Sequence, residues 1–172
     1  MNNLSKIARL ARRVNFGREE GSTLVEFALA STIYLTVLFG IVQTSIAVYS
    51  YCFVSEAARD CARYALVRGS ASCGAAYSPQ MPDCNATQAQ IQTHLRSLNY
   101  PGIISSNLTA NVTWYSFSKA SGTAVWTACA TQCSAPGNAV QVQVTYPFVL
   151  NVPFVPQHTI SMGNSSMMVI SQ

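Results

Sequence analysis

The chain has 172 residues and a formal net charge of +4, and charged residues make up 9% of it. Half of its ten cations lie before residue 21, and no nucleic-acid-binding motif accompanies them, so the charge does not indicate nucleic-acid binding. Catalysis is not indicated either. Asp83 is the one carboxylate beyond Asp60, and no Ser-His-Asp set, Cys-His pair or glycine-rich phosphate loop stands out.

A long apolar segment, residues 21–48, follows this basic leader. Apart from Glu26 this segment is uncharged, and the uncharged run that starts at Phe27 continues to Ser55 without a proline. Since about 20 helical residues cross a 30 Å hydrocarbon core, the run predicts one transmembrane helix. The cations ahead of it predict a cytoplasmic N-terminus and an exported C-terminal part.

Residues 1–21 are expected to be a removable leader. A secretory signal peptide has an apolar centre of about 7 to 15 residues, and this run is about twice as long, so cleavage at its far end near Ala47 is not expected. Cleavage after Gly21 would leave Ser22 as the N-terminus, one helical turn before Glu26. A carboxylate at the edge of a span needs a partner: the new α-ammonium, that of a neighbouring subunit, or headgroup water.

Two motifs carry a family resemblance. Gly21-Ser-Thr-Leu-Val-Glu26-Phe27-Ala-Leu29 resembles the processing site of type IV pilin-like proteins. Together with the later motif Glu56-Ala-Ala-Arg59-Asp-Cys-Ala-Arg63-Tyr64-Ala, it resembles the TadE-like family, pseudopilins of the tight-adherence (Flp) pilus. The resemblance implies a prepilin peptidase that cuts between Gly21 and Ser22, and a role in assembly for Glu26 and Phe27. Thr32 departs from it, since the family usually has a proline there.

The helix is predicted to continue beyond the membrane, so that residues 22–69 form the span and an extension. Tyr49, Tyr51 and Phe53 suit the interfacial aromatic belt. Apolar residues then recur at helical spacing, and this face is expected to cover the protein's own head or to contact another subunit. They are Val54, Ala57, Ala58, Cys61, Ala62, Ala65 and Leu66. On the other side, Glu56 with Arg59 and Asp60 with Arg63 are expected to pair.

Six cysteines indicate an oxidising compartment. Cys52 and Cys61 would lie about 13 Å apart along a helix, too far for a disulfide, and are interpreted as small apolar residues. Local pairing of Cys73 with Cys84 and of Cys129 with Cys133 is favoured. Neither His94 nor His158 has zinc-ligand spacing to a cysteine pair, so no metal and no cofactor are expected.

Residues 70–172 predict a small exported head. A helix capped by Asn85 or Thr87 should present Ile91, Leu95 and Leu98 on one face. Alternating apolar residues then predict strands at 108–114, 123–128, 140–148 and 159–170, with Pro147 and Pro153 at the end of the third. The expected fold class is α+β, in which the extended helix lies on a small antiparallel sheet.

The function predicted from the resemblance is a minor pilin-like subunit of the Flp pilus. Its implied partners are the prepilin peptidase, other pseudopilins, the major pilin and the inner-membrane assembly platform. Its expected location is the bacterial inner membrane, with the head in the periplasm. Incorporation into the pilus or release to the cell surface is the alternative. The alternative is an uncleaved, single-span protein whose head binds an envelope ligand.

Overall fold

A computed structural model describes residues 17–73, 83–120 and 123–171. Helix α1 covers Gly17–Val67 and is followed by a 3₁₀ turn at Ser70–Cys73, helix α2 at Gln88–Ser97 and a 3₁₀ turn at Ser105–Asn107. The strands are β1 (Thr109–Ala120), β2 (Thr123–Ala128), β3 (Ala139–Leu150) and β4 (His158–Val169). The predicted α+β class, with a long apolar N-terminal helix and a small antiparallel sheet, is confirmed.

The chain divides into two compact units, and α1 contributes to both. Within the described residues, the first unit contains α1 up to Thr44 together with Asn151–Pro156, the turn after β3. In this unit the side-chain amide Nε2 of Gln43 donates a hydrogen bond of 3.1 Å to the carbonyl oxygen of Asn151. The second unit contains α1 from Ser45 onward, α2 and the sheet.

The sheet of the second unit has the strand order β2-β1-β3-β4, and every neighbouring pair is antiparallel. Side chains on β3 alternate in burial, as a strand with one face on the core requires. The buried set is Val140, Val142, Val144, Tyr146 and Phe148. These residues pack with Ile91 and Leu95 of α2 and with the second half of α1 in one hydrophobic core.

The proline positions differ in part from the prediction. β3 continues through Pro147 to Leu150 before Pro153 is reached. Pairing of β3 with β1 ends at Thr145, and beyond it, within the described residues, β3 pairs with β4 alone. Pro147 therefore lies where β3 is locally an edge, which a residue without an N–H group tolerates.

The apolar face of α1 beyond the span packs on the head of the same chain. Val54, Ala57, Ala58, Cys61, Ala62 and Ala65 are all buried, and Leu66 is half-buried. The buried residues of this face belong to the same hydrophobic core as the buried side chains of β3. Asn164 of β4 adds a hydrogen bond of 2.7 Å from its Nδ2 to Oγ of Ser55. Of the two alternatives for this face, the structure shows the contact within the chain.

Phe53 is not part of an interfacial aromatic belt, and this expectation was wrong. Its side chain is 4% exposed and its ring centroid lies 4.4 Å from that of Tyr100. Tyr49 and Tyr51 are exposed, and the Tyr49 hydroxyl donates to the carbonyl of Pro101 at 3.1 Å. Phe53 differs because it lies on the helix face that covers the core, next to Val54 and one turn before Ala57.

Helix α2 begins at a capping box. Thr87 is the N-cap: its hydroxyl accepts from the backbone N–H of Gln90, and the Gln90 side chain accepts from the backbone N–H of Thr87. Asn85 was the alternative cap, but its side chain instead accepts hydrogen bonds from Gln132 and Ser134.

Two disulfides close loops of the head, and they are the pairs favoured from the sequence. Cys73 is joined to Cys84, with their Cα atoms 5.1 Å apart, and Cys129 is joined to Cys133, with 6.3 Å between Cα atoms. Cys52 and Cys61 are free thiols, the first exposed and the second buried.

Candidate assembly surface and a polar cluster on the head

The first half of α1 is apolar and largely exposed. Helix residues Gly21–Val67 contain a window with a mean hydropathy of 1.9, no part of which is buried. By length and composition this helix can cross a membrane. Its large exposed residues between positions 24 and 39 are Leu24, Val25, Phe27, Leu29, Ile33, Tyr34, Leu35, Val37, Leu38 and Phe39. We call this stretch of α1, residues 21–44, the apolar stem.

Four hydroxyl side chains within the apolar stem are satisfied by the helix itself. The hydroxyls of Ser31 and Thr32 both donate to the carbonyl of Ala28, at 3.0 and 2.8 Å. Thr36 and Thr44 donate in the same way to carbonyls four residues earlier, each at 2.8 Å. Such bonds remove the cost of placing a hydroxyl in hydrocarbon. α1 continues through Thr32 without interruption.

The predicted processing and pairing residues lie near the start of the stem. Gly21, Ser22, Glu26 and Phe27 are helical and exposed, and a side chain added at Gly21 would meet no atom within 4 Å. Ser22 and Glu26 are four residues apart and therefore share a helix face. Among the described residues, Glu26 has no cationic partner within 4.0 Å. The carboxylate is thus exposed at the polar end of an apolar helix.

The second motif lies on the part of α1 that packs on the head. Glu56 and Arg59 form the expected ion pair at 2.9 Å, with both side chains more than half exposed, so its contribution to stability is small. The expected pair of Asp60 with Arg63 was wrong. Asp60 Oδ2 instead lies 3.3 Å from Nε2 of His94 on α2, whereas Arg63 is exposed.

Tyr64 is the centre of a polar cluster that sequence reasoning did not find. Its ring stacks on the His94 imidazole with 4.1 Å between centroids, and the guanidinium carbon of Arg68 lies 3.8 Å from the Tyr64 ring centroid. Its hydroxyl donates to Asp83 Oδ2 at 3.1 Å, and Gln90 Nε2 donates to Oδ1 of the same carboxylate at 3.0 Å. The cluster joins α1, α2 and the segment that leads from Asp83 into α2.

Part of this cluster could have been predicted from the spacing of polar residues along α1. Asp60, Tyr64 and Arg68 recur every four residues and so form one polar stripe. Its partners His94 and Asp83 are distant in sequence, and no local pattern assigns them to it.

The cluster borders a surface cavity of about 330 Å³, lined by Tyr64, Asp83, Gln90, Thr93, His94 and Ser97. Tyr64 lies beyond the apolar stem, and its pKa is raised, chiefly by burial and then by the hydrogen bond to Asp83. In the described part of the chain, no group of three or more His, Cys, Asp or Glu side chains is placed to hold a metal ion. The cavity presents polar groups that can form hydrogen bonds.

A comparison with known protein families finds a match that includes the two motifs on which the family resemblance was based. The family model described as TadE-like protein matches residues 21–63, which include both Gly21 to Phe27 and Glu56 to Arg63. No curated protein and no solved structure matches the chain.

Proposed function

We propose that this chain is a minor pilin-like subunit of the tight-adherence (Flp) pilus apparatus. The proposal starts from the match of residues 21–63 to the TadE-like family model, which supports membership in that family. The family is structural and non-enzymatic. The observation that carries the proposal is the division of α1: an exposed apolar stem opens with the Gly21 to Phe27 motif, and the same helix then packs on a disulfide-containing head. A subunit built in this way can leave the bilayer by exchanging lipid contacts of the stem for contacts with other stems.

In this proposal a prepilin peptidase removes residues 1–21 and leaves Ser22 as the N-terminus. The exposure of Gly21 and the open space around it support access to this peptide bond. Before cleavage the basic leader holds the N-terminus in the cytoplasm, and the head lies in the periplasm. The oxidising periplasm suits the two disulfides.

Glu26 would then specify how subunits join. An unpaired carboxylate at the edge of a membrane span costs on the order of several kcal/mol, and pairing with a cation removes most of that cost. The α-ammonium of Ser22, on the same chain or on a neighbouring subunit, is the nearest cation that cleavage creates. The apolar stem would contact other pseudopilins and the major pilin at the inner-membrane assembly platform.

The N-terminus of the mature protein tests this function. The full chain is expressed with and without a prepilin peptidase, extracted from membranes and analysed by intact-mass spectrometry. We expect an N-terminus at Ser22 only with the peptidase, and none in Gly21→Val. Gly17→Val is the matched control, four residues earlier, and should be cleaved normally. An intact Met1 in the presence of an active peptidase would refute the processing step.

Glu26→Gln tests the pairing step separately. This substitution keeps the shape of the side chain and removes its charge, so cleavage and membrane insertion should be normal while pilus assembly is impaired. Glu56→Gln, an exposed glutamate beyond the stem, is the control and should assemble normally. Normal piliation of Glu26→Gln would contradict the pairing role.

The cavity beside Tyr64 favours a second candidate, an uncleaved single-span protein whose head binds an envelope ligand. Its polar lining suits a small hydrogen-bonding group. The same mass measurement separates the two candidates, because this one retains Met1 in every condition.

A further inference from the structure

The turn between β3 and β4 carries the most exposed large apolar side chain of the described residues. Its sequence, Asn151-Val-Pro-Phe-Val-Pro156, contains no charge. Phe154 is 83% exposed and Val155 is 48% exposed. The two neighbouring side chains together expose an apolar patch, and such patches mark surfaces that contact a membrane or another protein.

The backbone of the turn is held in a conformation that presents this side chain. Phe154 has φ of +67°, in the left-handed region that bulky residues rarely adopt. The backbone N–H of Val155 donates to the carbonyl of Val152 at 3.2 Å and closes the turn around it. Pro153 and Pro156 on either side restrict the chain further. Such unfavourable conformations persist at functional positions, where the surrounding structure maintains them.

This turn belongs to the same compact unit as the apolar stem. Asn151–Pro156 and α1 up to Thr44 form that unit, and Gln43 Nε2 donates to the carbonyl of Asn151 at 3.1 Å. A span that begins at Glu26 needs about 20 residues to cross the hydrocarbon core, so it ends about one turn beyond Gln43. The turn is therefore next to the stem at the depth where hydrocarbon meets the headgroups.

We propose that this turn is a second membrane contact, in which Phe154 inserts into the periplasmic interface of the bilayer. Lipid is the occupant that fits best because the turn has no charge to specify a protein partner and is continuous with the stem. Aromatic side chains favour the interfacial region. A single helix leaves the protein free to rotate about the membrane normal, and a second contact next to the stem restricts that rotation. The inference rests on the proposed function only in requiring that the stem span the membrane.

Spin-label accessibility on the full chain tests the proposal. The protein carries Cys52→Ser and is reconstituted without reductant into vesicles of phosphatidylethanolamine and phosphatidylglycerol. Cys61 has no exposed surface, so it should remain unlabelled. Labels are placed one at a time through Phe154→Cys, Leu35→Cys in the stem and Arg96→Cys on α2. Collision with oxygen reports immersion in lipid, and collision with a water-soluble nickel chelate reports exposure to water.

We expect the oxygen-to-nickel ratio at position 154 to be several-fold higher than at position 96, a charged and exposed site of α2. A ratio at 154 equal to that at 96 would overturn the proposal, and so would shielding of 154 from both reagents, which indicates contact with protein. The label at position 35 shows whether the stem itself lies in the membrane. If position 35 is immersed in lipid and position 154 is not, only the proposed second contact is refuted. If position 35 is exposed to water, the proposal that the stem spans the membrane is refuted as well. Far-UV circular dichroism confirms that each variant is folded.

Discussion

The imidazole of His94 lies nearly parallel to the phenol ring of Tyr64, with 4.1 Å between the centroids and 15° between the planes. The two residues belong to α2 and α1, so the stack fixes the short helix against the long one. The hydrogen bond from Tyr64 to Asp83 connects the same point to the end of a disulfide-closed loop. This cluster organises one side of the head, and its removal has measurable consequences.

Two substitutions of Tyr64 should distinguish the contribution of its ring stack to stability from the contribution of its hydroxyl. Tyr64→Leu removes both and should lower the free energy of unfolding of the head by about 1–2 kcal/mol. Tyr64→Phe retains the ring and should cost about 0.5–1 kcal/mol, since it loses only a partly exposed hydrogen bond. Urea denaturation in mild detergent, followed by circular dichroism, measures both values. Equal stability of Tyr64→Leu and the unchanged protein would show that the stack contributes nothing.

Alkaline pH should weaken the Tyr64 contribution. Its pKa is raised above the ordinary value of 10.0, so the folded head holds the phenolic proton more tightly than the unfolded chain does. This stabilisation is complete below the ordinary pKa and is lost as the pH rises through the pKa of the folded state. The stability difference between the unchanged protein and Tyr64→Phe should therefore shrink above about pH 10. A difference that stays constant or grows there would contradict the assigned direction.

The two disulfides should differ in their contribution to stability. The pairs are separated by 11 and 4 residues. On loop-entropy arguments, loss of the Cys73–Cys84 bond costs about 3 kcal/mol and loss of the Cys129–Cys133 bond about 2 kcal/mol. The double replacements Cys73→Ser with Cys84→Ser, and Cys129→Ser with Cys133→Ser, are matched to each other. Thermal unfolding ranks them, and a larger loss for the shorter loop would show that entropy is not the dominant effect.

The Thr87 cap should account for most of the local stability of the start of α2. Thr87→Ala leaves the N–H of Gln90 without its side-chain acceptor and should cost about 1 kcal/mol. Thr93→Ala is the matched control inside the same helix. Its hydroxyl bonds to the carbonyl of Ala89, and alanine is the better helix former, so it should be neutral or stabilising. Chemical denaturation compares them, and equal effects of the two variants would contradict the capping role.

The Cys61 thiol should be unreactive in the folded head. It lies beyond the stem, and burial, with a smaller effect of the Asp60 charge, raises its pKa from 9.0 to about 12. Because the thiolate is the reactive form, N-ethylmaleimide should fail to modify Cys61 at mildly alkaline pH until the protein is denatured. Mass spectrometry of the Cys52→Ser protein measures the modification, and Cys61→Ala in the same background is the control. Modification under native conditions would show that this part of the core opens.

Much of the fold follows from local patterns in the sequence. The alternation at Val140, Val142 and Val144 predicts the central strand, and the spacing of Val54, Ala57 and Cys61 predicts the buried face of α1. Both are physical consequences of the period of each element against a single apolar core. Phe53 was misassigned because its neighbours Tyr49 and Tyr51 suggested a membrane interface. Only its position against Tyr100 and the sheet shows that the side chain belongs to the core.

The apolar stem, the basic N-terminal segment and the motif around Gly21 and Glu26 follow from the sequence alone, because length, hydropathy and the order of charges are properties of the chain. Contacts between residues far apart in sequence are visible only in the tertiary structure. Asp60 contacts His94 instead of Arg63, and Asn151 accepts a hydrogen bond from Gln43, because such contacts depend on how distant elements pack. The exposure of Phe154 is of the same kind, because no local pattern states which side chains of a turn the packed structure leaves uncovered.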